Sequence, residues 1–146
     1  MHKNIPGVLF VLLLAACAAT STPVSPTADP TGGVVILFQR SGGLLPADLQ
    51  WAVYSDGRVV TGKGEQGAVP AAQVQALLAE IKGLGFFEFQ DSYGLAAVCN
   101  DCYTYSITVN DSGRVKTVVA VDGAAGTPGA VLSIVEAIEA FLPDLP

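Results

Sequence analysis

The stretch that decides the fold is residues 49–63, Leu-Gln-Trp-Ala-Val-Tyr-Ser-Asp-Gly-Arg-Val-Val-Thr-Gly-Lys. Two β-prone runs flank its Asp-Gly pair, and such a pair between apolar residues is the strongest short-range signal for a β-hairpin. Asp-Gly favours a type I′ turn, in which both central residues have positive φ. The sequence therefore predicts an antiparallel hairpin with strands Leu49–Tyr54 and Val59–Lys63.

Three further strands are predicted on either side of this hairpin. Val34–Phe38 is an unbroken apolar run after two glycines, which indicates a strand buried on both faces. Tyr103–Val109 alternates Tyr, Ile and Val with Thr and Ser, and Arg114–Val121 returns after a turn at Asn-Asp-Ser-Gly. The polar side of the alternating strand is expected to face solvent, and it consists of Thr104, Ser106 and Thr108.

Two amphipathic helices are predicted, one after each hairpin. The first begins near Pro70, and its apolar residues recur at the i, i+3, i+4, i+7 spacing of a helix that buries one face. These residues are Val74, Leu77, Leu78 and Ile81. The second helix is predicted to have Thr127 as its N-cap and Pro128 in its first turn, and Pro143 ends it.

These elements predict one α+β domain over residues 34–146. The order β-ββ-α-ββ-α indicates a two-layer sandwich, in which two helices cover one face of an antiparallel sheet of about five strands. Residues 17–33 precede the domain, and after the cysteine they are almost entirely Ala, Ser, Thr, Pro and Gly. Such a segment cannot bury enough apolar surface to offset its ordering entropy, so we expect a flexible tether.

Residues 1–16 have the layout of a secretory signal peptide, with a basic residue, a short apolar run and small residues at the end. Leu-Ala-Ala-Cys at 14–17 resembles the lipobox of bacterial lipoproteins, which implies cleavage before Cys17 and acylation of that cysteine. The alternatives are a plain cleaved signal and a membrane-spanning anchor, but residues 5–16 are fewer than the about 20 that cross a bilayer. We therefore expect an extracytoplasmic envelope protein, anchored in the lipid bilayer of the outer membrane or the outer face of the cell membrane.

The charge balance excludes some classes of partner. The chain has 13 acidic and 7 basic residues, and its net charge is −6. Phosphate binding needs a basic face, so nucleic acid is not expected as a partner. The same deficit argues against electrostatic attachment to anionic lipid.

Patterns for catalysis are sparse. The single histidine, His2, lies in the predicted signal peptide, so the processed chain lacks the base of Ser-His-Asp and Cys-His sites. The chain has no P-loop pattern. The carboxylate pair Glu88 and Asp91 is expected to solvate a loop. The sequence therefore predicts no enzyme activity, no cofactor and no metal.

The pattern Cys-Asn-Asp-Cys at 99–102 has three interpretations. With Cys17 acylated, the remaining cysteines form an even pair, which favours a structural disulfide in an oxidising compartment. A thioredoxin-like redox pair would sit at a helix N-terminus, but a predicted strand follows Cys102. A metal site would have only two of its four ligands here.

Three stretches carry a family resemblance: Tyr-Ser-Asp-Gly-Arg-Val at 54–59, Gly-Phe-Phe-Glu at 85–88, and Tyr103–Val109 followed by Asp-Gly at 122–123. Together they resemble small exported bacterial domains of unknown function, over the whole predicted domain. The resemblance implies relatives with a Cys-Pro-type segment before the first hairpin, where this chain has Leu-Leu-Pro at 44–46. It implies the fold but no site, because the family has no assigned activity.

The expected function is a non-enzymatic accessory domain of the cell envelope that binds another protein or an envelope component. The alternatives are a thiol–disulfide or metal-responsive protein acting through Cys99 and Cys102, and an inhibitor-like module that inserts a loop into a partner. Binding groups commonly lie on loops of a rigid scaffold, and residues 39–46 and 91–101 are the polar segments without regular periodicity. The candidate binding residues are therefore Arg40, Asp91, Tyr93 and Asp101.

Overall fold

The described part of the chain forms one mixed β-sheet with two helices on one of its faces. The computed structural model describes residues 33–43, 48–96, 99 and 101–143, so the predicted signal peptide, Cys17, most of the tether and Leu-Leu-Pro lie outside the described residues. The strands are β1 (Val34–Gly42), β2 (Leu49–Tyr54), β3 (Arg58–Thr61), β4 (Gln66–Ala68), β5 (Ser92–Tyr93), β6 (Tyr103–Asp111) and β7 (Arg114–Val121). The helices are α1 (Ala71–Gly83) and α2 (Gly129–Phe141), with a 3₁₀ helix over Phe86–Glu88. No helix in the described ranges is long and apolar enough to cross a membrane.

The sheet has more strands than the sequence indicates. Its order is β4-β3-β2-β1-β6-β7-β5, and β5 pairs in parallel with β7 while the other neighbours are antiparallel. The predicted antiparallel sheet of about five strands is therefore corrected to a mixed sheet of seven, and the α+β class with two helices is confirmed. The additional strands, β4 and β5, have only three and two residues. They are too short to show an alternating pattern. They are strands because each pairs with a longer neighbour.

The first strand is the central one, since β1 lies between β2 and β6. Ile36 and Phe38 are fully buried on its helix-facing side, whereas Leu37 on the opposite side is half-buried. The expectation of a strand buried on both faces is therefore wrong. An apolar run is typical of a strand in the middle of a sheet, but only the packing of the helices decides whether one or both faces of the sheet are covered.

The hydrophobic core lies between the sheet and the two helices. All four apolar residues predicted for the buried stripe of α1 are at most 5% exposed, which confirms that pattern. From α2 the core receives Val131, Ile134, Val135 and Ile138. Phe86 of the 3₁₀ helix completes the core beneath α1 and is edge-on to Phe87 and Phe89. These three phenylalanines are therefore part of the packing beneath α1.

The β2–β3 loop differs from the predicted type I′ turn. Val53 pairs with Val59, so the loop has three residues at 55–57. Gly57 has a φ of 96°, while the residue before it does not have a positive φ. The Gly57 N–H donates to the Tyr54 carbonyl over 3.0 Å. This bond closes a four-residue turn over residues 54–57, whose last residue is the left-handed glycine. This is the three-residue hairpin form, a turn followed by a bulge.

The β6–β7 loop is the one with type I′ character. Ser112 and Gly113 have φ values of 54° and 87°, and the flanking Asp111 and Arg114 pair with each other. A two-residue loop of this kind matches the right-handed twist of the strands that it connects.

The start of α2 also differs from the prediction. The helix begins at Gly129 after an extended Pro128, and no side chain caps it. The hydroxyl of Thr127, the predicted N-cap, donates instead to the Val121 carbonyl over 3.3 Å. This contact with the end of β7 draws the hydroxyl away from the first turn of the helix.

Candidate functional site

A groove of about 600 Å³ lies on the sheet face that the helices leave uncovered. Its floor consists of side chains at alternate positions of β1, β2 and β6 that point away from the helices, because successive strand residues face opposite sides. We call this feature the sheet groove, and we define its floor as Gln39, Ser41, Gln50, Thr104 and Ser106. These five residues are all uncharged and polar.

Strand register brings the floor residues together. Gln39 of β1 is directly opposite Gln50 on one side and Ser106 on the other. Ser41 is directly opposite Thr104. Side chains opposite each other on one face of an antiparallel pair have Cβ atoms about 4.5–5.5 Å apart, so the five form a contiguous polar surface.

The polar atoms of the floor are available to a ligand. Within the described residues, none of the five floor side chains makes a hydrogen bond to another side chain or to the backbone. Farther along the same face, the hydroxyls of Thr108 and Thr117 lie 2.8 Å apart and satisfy each other. Unlike these two threonine hydroxyls, the hydroxyls and amides of the groove floor do not satisfy one another, so a bound molecule could pair with them.

The rim of the groove is a tight turn after β3. The Thr61 N–H donates to the Glu65 carbonyl over 2.9 Å, and the Thr61 hydroxyl is 3.2 Å from the Glu65 carboxylate. The Gly62 N–H donates to the Gln50 carbonyl over 2.8 Å, so the turn is tied to the floor. It brings Lys63 and Glu65 to the rim, where Asp48 also lies. The rim therefore has one cationic and two acidic side chains.

Arg40, a predicted binding residue, instead connects the sheet to α2. Its side chain belongs to the helix-facing side of β1, although the residue is among those that line the groove. The guanidinium donates to Glu139 over 2.7 Å and lies 5.1 Å from the centre of the Tyr103 ring. Burial raises the pKa of the neighbouring Tyr105 hydroxyl, and the negative charge of Glu139 raises it further.

Asp91 and Tyr93 are held at the opposite edge of the sheet. The ammonium group of Lys116 donates to Asp91, whose side chain is 88% exposed. The Tyr93 hydroxyl accepts the Gln90 N–H over 2.9 Å, and its ring is edge-on to Phe89. Tyr93 is therefore part of the local packing, and Asp91 belongs to a surface ion pair.

The four predicted binding residues do not form one site. Tyr93, Ala120, Tyr105 and Arg40 occupy one row across the sheet, so three strand spacings, about 14 Å, separate the first from the last. Asp101 is exposed in the turn before β6, at neither of these places.

That turn contains a disulfide between Cys99 and Cys102, whose Cα atoms are 5.5 Å apart. Strand β6 begins at the next residue, so the pair lacks the helix N-terminus that lowers the pKa of a thioredoxin-type thiol. The Cys102 carbonyl accepts the Gly43 N–H over 3.1 Å, which ties the turn to the end of β1. Within the described residues, no group of three or more His, Cys, Asp or Glu side chains is arranged to hold a metal ion.

Residues 50–142 match the model of the family described as Domain of unknown function (DUF6438). The chain belongs to this family. The expected resemblance to a domain family without assigned activity is thereby confirmed. No curated protein and no solved structure has significant similarity to the chain.

The DUF6438 match covers only part of the sheet groove. It begins in β2 and ends just after α2, so Gln50, Thr104 and Ser106 lie inside the matched span, whereas Gln39 and Ser41 lie before it. The sequence prediction missed Gln39 and Ser41 as site residues because it ended the first strand at Phe38, and it placed Gln50 in the second strand without assigning it to a site. A strand continued to residue 42 would have placed Gln39 and Ser41 on the solvent side by alternation.

Proposed function

We propose that this DUF6438 protein is a lipid-anchored protein of the cell envelope whose domain binds an envelope component and catalyses no reaction. The binding surface is the sheet groove. The observation that carries this role is the contiguous set of amide and hydroxyl side chains that have no hydrogen-bond partner among the residues that the structure describes. Ligand sites typically have volumes of about 300–1,000 Å³ and a few convergent polar groups, and the groove fits that description.

The lipid anchor is supported by the N-terminal sequence. An apolar run followed by Leu-Ala-Ala-Cys resembles the lipobox signal, and a Pro-, Ser- and Thr-rich stretch separates Cys17 from β1. Acyl chains on Cys17 would hold the domain at a bilayer, and two or more chains suffice for stable attachment.

The anchor is tested by fractionation and mass spectrometry of the full chain expressed in its source cells. We expect an acylated peptide that begins at Cys17, and we expect Cys17→Ser to abolish stable membrane attachment. Ser21→Ala, four residues farther on, is the matched control and should remain in the membrane fraction. Recovery of an unmodified Cys17 or of an intact Met1 in the membrane fraction would contradict the anchor.

Binding by the groove is tested with detergent-solubilised full chain immobilised and exposed to envelope extract. Gln39→Ala/Gln50→Ala removes both floor amides, and Gln73→Ala/Gln75→Ala removes two exposed amides from α1 on the other side of the sheet. We expect the extract component to be retained by the parent and the α1 variant and lost by the groove variant. Equal retention by all three proteins would show that the groove is not the binding surface.

Thiol–disulfide exchange is a second candidate function, and the exposure of Cys99 is the observation that favours it. An exposed sulfur is accessible to an external thiol. A reduction potential of about −120 to −270 mV together with exchange activity would support this function. A potential below about −300 mV is typical of a structural disulfide and would exclude it.

A further inference from the structure

We infer that the ligand of the sheet groove is a neutral saccharide chain, an inference that rests on the proposed function. The argument has three parts: the hydrogen-bonding character of the floor, the charge of the rim, and the position of the groove in the sheet.

The floor matches a polyhydroxylated ligand. Each carboxamide of Gln39 and Gln50 has two donor hydrogens and an acceptor oxygen, and each hydroxyl of Ser41, Thr104 and Ser106 both donates and accepts. Sugar hydroxyls have the same dual character, so every floor group can pair with them in either direction. An apolar ligand would leave these groups desolvated and unpaired, which is unfavourable for each group that it buries.

The charge of the rim disfavours an anionic ligand. Among the described residues that line the groove, Lys63 is the one basic side chain that contributes its charge, and Asp48 and Glu65 oppose it. Arg40 also borders the groove, but its guanidinium is paired with Glu139 on the helix side. A phosphate- or sulfate-rich polymer needs several cations, so a neutral chain is the better electrostatic match.

The position of the groove disfavours an extended peptide. Peptides that add to a sheet use the free backbone groups of an edge strand. Here the floor strand β1 is already paired with β2 and β6 on both sides. Recognition must therefore come from side chains. The groove is partly open, so a chain longer than the groove can extend past it.

The test is calorimetric titration of the detergent-solubilised full chain with three probes: a tetramer of N-acetylglucosamine, a tetramer of glucose, and a sulfated oligosaccharide of similar length. We expect one or both neutral tetramers to bind, with an affinity that does not change with salt. Gln39→Ala/Gln50→Ala should weaken that binding about tenfold, the factor that corresponds to 1.4 kcal/mol, because the double substitution removes two hydrogen-bonding side chains. Gln73→Ala/Gln75→Ala is the matched control and should bind like the parent.

Three outcomes would overturn the inference: no binding of either neutral tetramer, equal binding by the groove variant, or tighter, salt-dependent binding of the sulfated probe. The extract experiment separates this failure from failure of the proposed function. If the groove variant alone loses the extract component, the groove still binds a ligand and only the saccharide class is wrong. If that component is also retained equally by all variants, both the inference and the groove function are wrong.

Discussion

Two hairpin glycines with similar backbone angles should respond very differently to the same substitution. Gly57 and Gly113 have φ values of 96° and 87°, a region that costs an alanine roughly 1–2 kcal/mol. A Cβ at Gly113 would meet nothing within 4 Å, so Gly113→Ala should cost only that amount. A Cβ at Gly57 would lie 2.0 Å from the carbonyl oxygen of Val69.

The steric term at Gly57 can be estimated from this contact. Carbon and carbonyl oxygen approach to about 3.3 Å, so the hairpin and the start of α1 must separate by more than about 1 Å. That movement breaks the 2.9 Å hydrogen bond from the Val69 N–H to the Gly57 carbonyl. The lost bond contributes about 0.5–1.5 kcal/mol and the overpacking about 1–3 kcal/mol. We therefore expect Gly57→Ala to cost about 2.5–6.5 kcal/mol in total.

The measurement is urea and thermal unfolding of the two variants and the parent. Trp51, the one tryptophan of the chain, lies in β2 next to the Gly57 loop and reports unfolding by fluorescence. The difference of about 1.5–4.5 kcal/mol should separate the two melting temperatures by about 6–18 °C, at roughly 4 °C per kcal/mol. Equal losses in the two variants would refute the packing of the hairpin loop against the start of α1.

Three other predictions concern local contacts. Reduction of the Cys99–Cys102 disulfide, or replacement of both cysteines by serine, should lower the melting temperature by only a few degrees. The reason is that the closed loop is far shorter than the 15-residue loop for which a disulfide contributes about 3 kcal/mol. A decrease of more than about 10 °C in calorimetry would contradict this. The side chains of Arg40 and Glu139 are 29% and 35% exposed, so a double-mutant cycle in urea unfolding should give a coupling energy of about 0.5–1 kcal/mol. A coupling energy of zero would show that the ion pair does not stabilise the fold. Burial, with a further contribution from Glu139, raises the pKa of Tyr105 above 10.0, so the neutral hydroxyl contributes stability that is present below pH 10 and lost as the pH rises through the higher folded value. Tyr105→Phe should show a smaller alkaline loss in a pH series of unfolding curves, and identical pH profiles would refute this assignment.

Elements specified by nearby residues could be predicted from the sequence. The stripe from Val74 to Ile81 required only the helical period, and all four of its members are buried. The hairpin at 49–63 required only an Asp-Gly pair between apolar runs, although the exact turn depended on the register of Val53 with Val59. The second hairpin, with Gly113, was predicted in the same way. Local spacing is sufficient in such cases because the interacting residues are close in the chain.

The candidate site could not be predicted, because its parts come from distant segments. Gln39 and Gln50 become neighbours of Ser106 only when β1 inserts between β2 and β6, and no local pattern specifies that pairing. The predicted binding residue Arg40 was read as a loop residue and proved to be a strand residue tied to α2.

The amino-acid sequence by itself determined the α+β class, the two hairpins and the two helices, because these depend on contacts within a few residues. Only the tertiary structure decided the strand order, the parallel edge strand β5 and the polar surface over three strands. The physical reason is that strand pairing joins backbone groups without regard to sequence separation. Residues almost seventy positions apart, such as Gln39 and Ser106, therefore become opposite partners only when the whole sheet has formed.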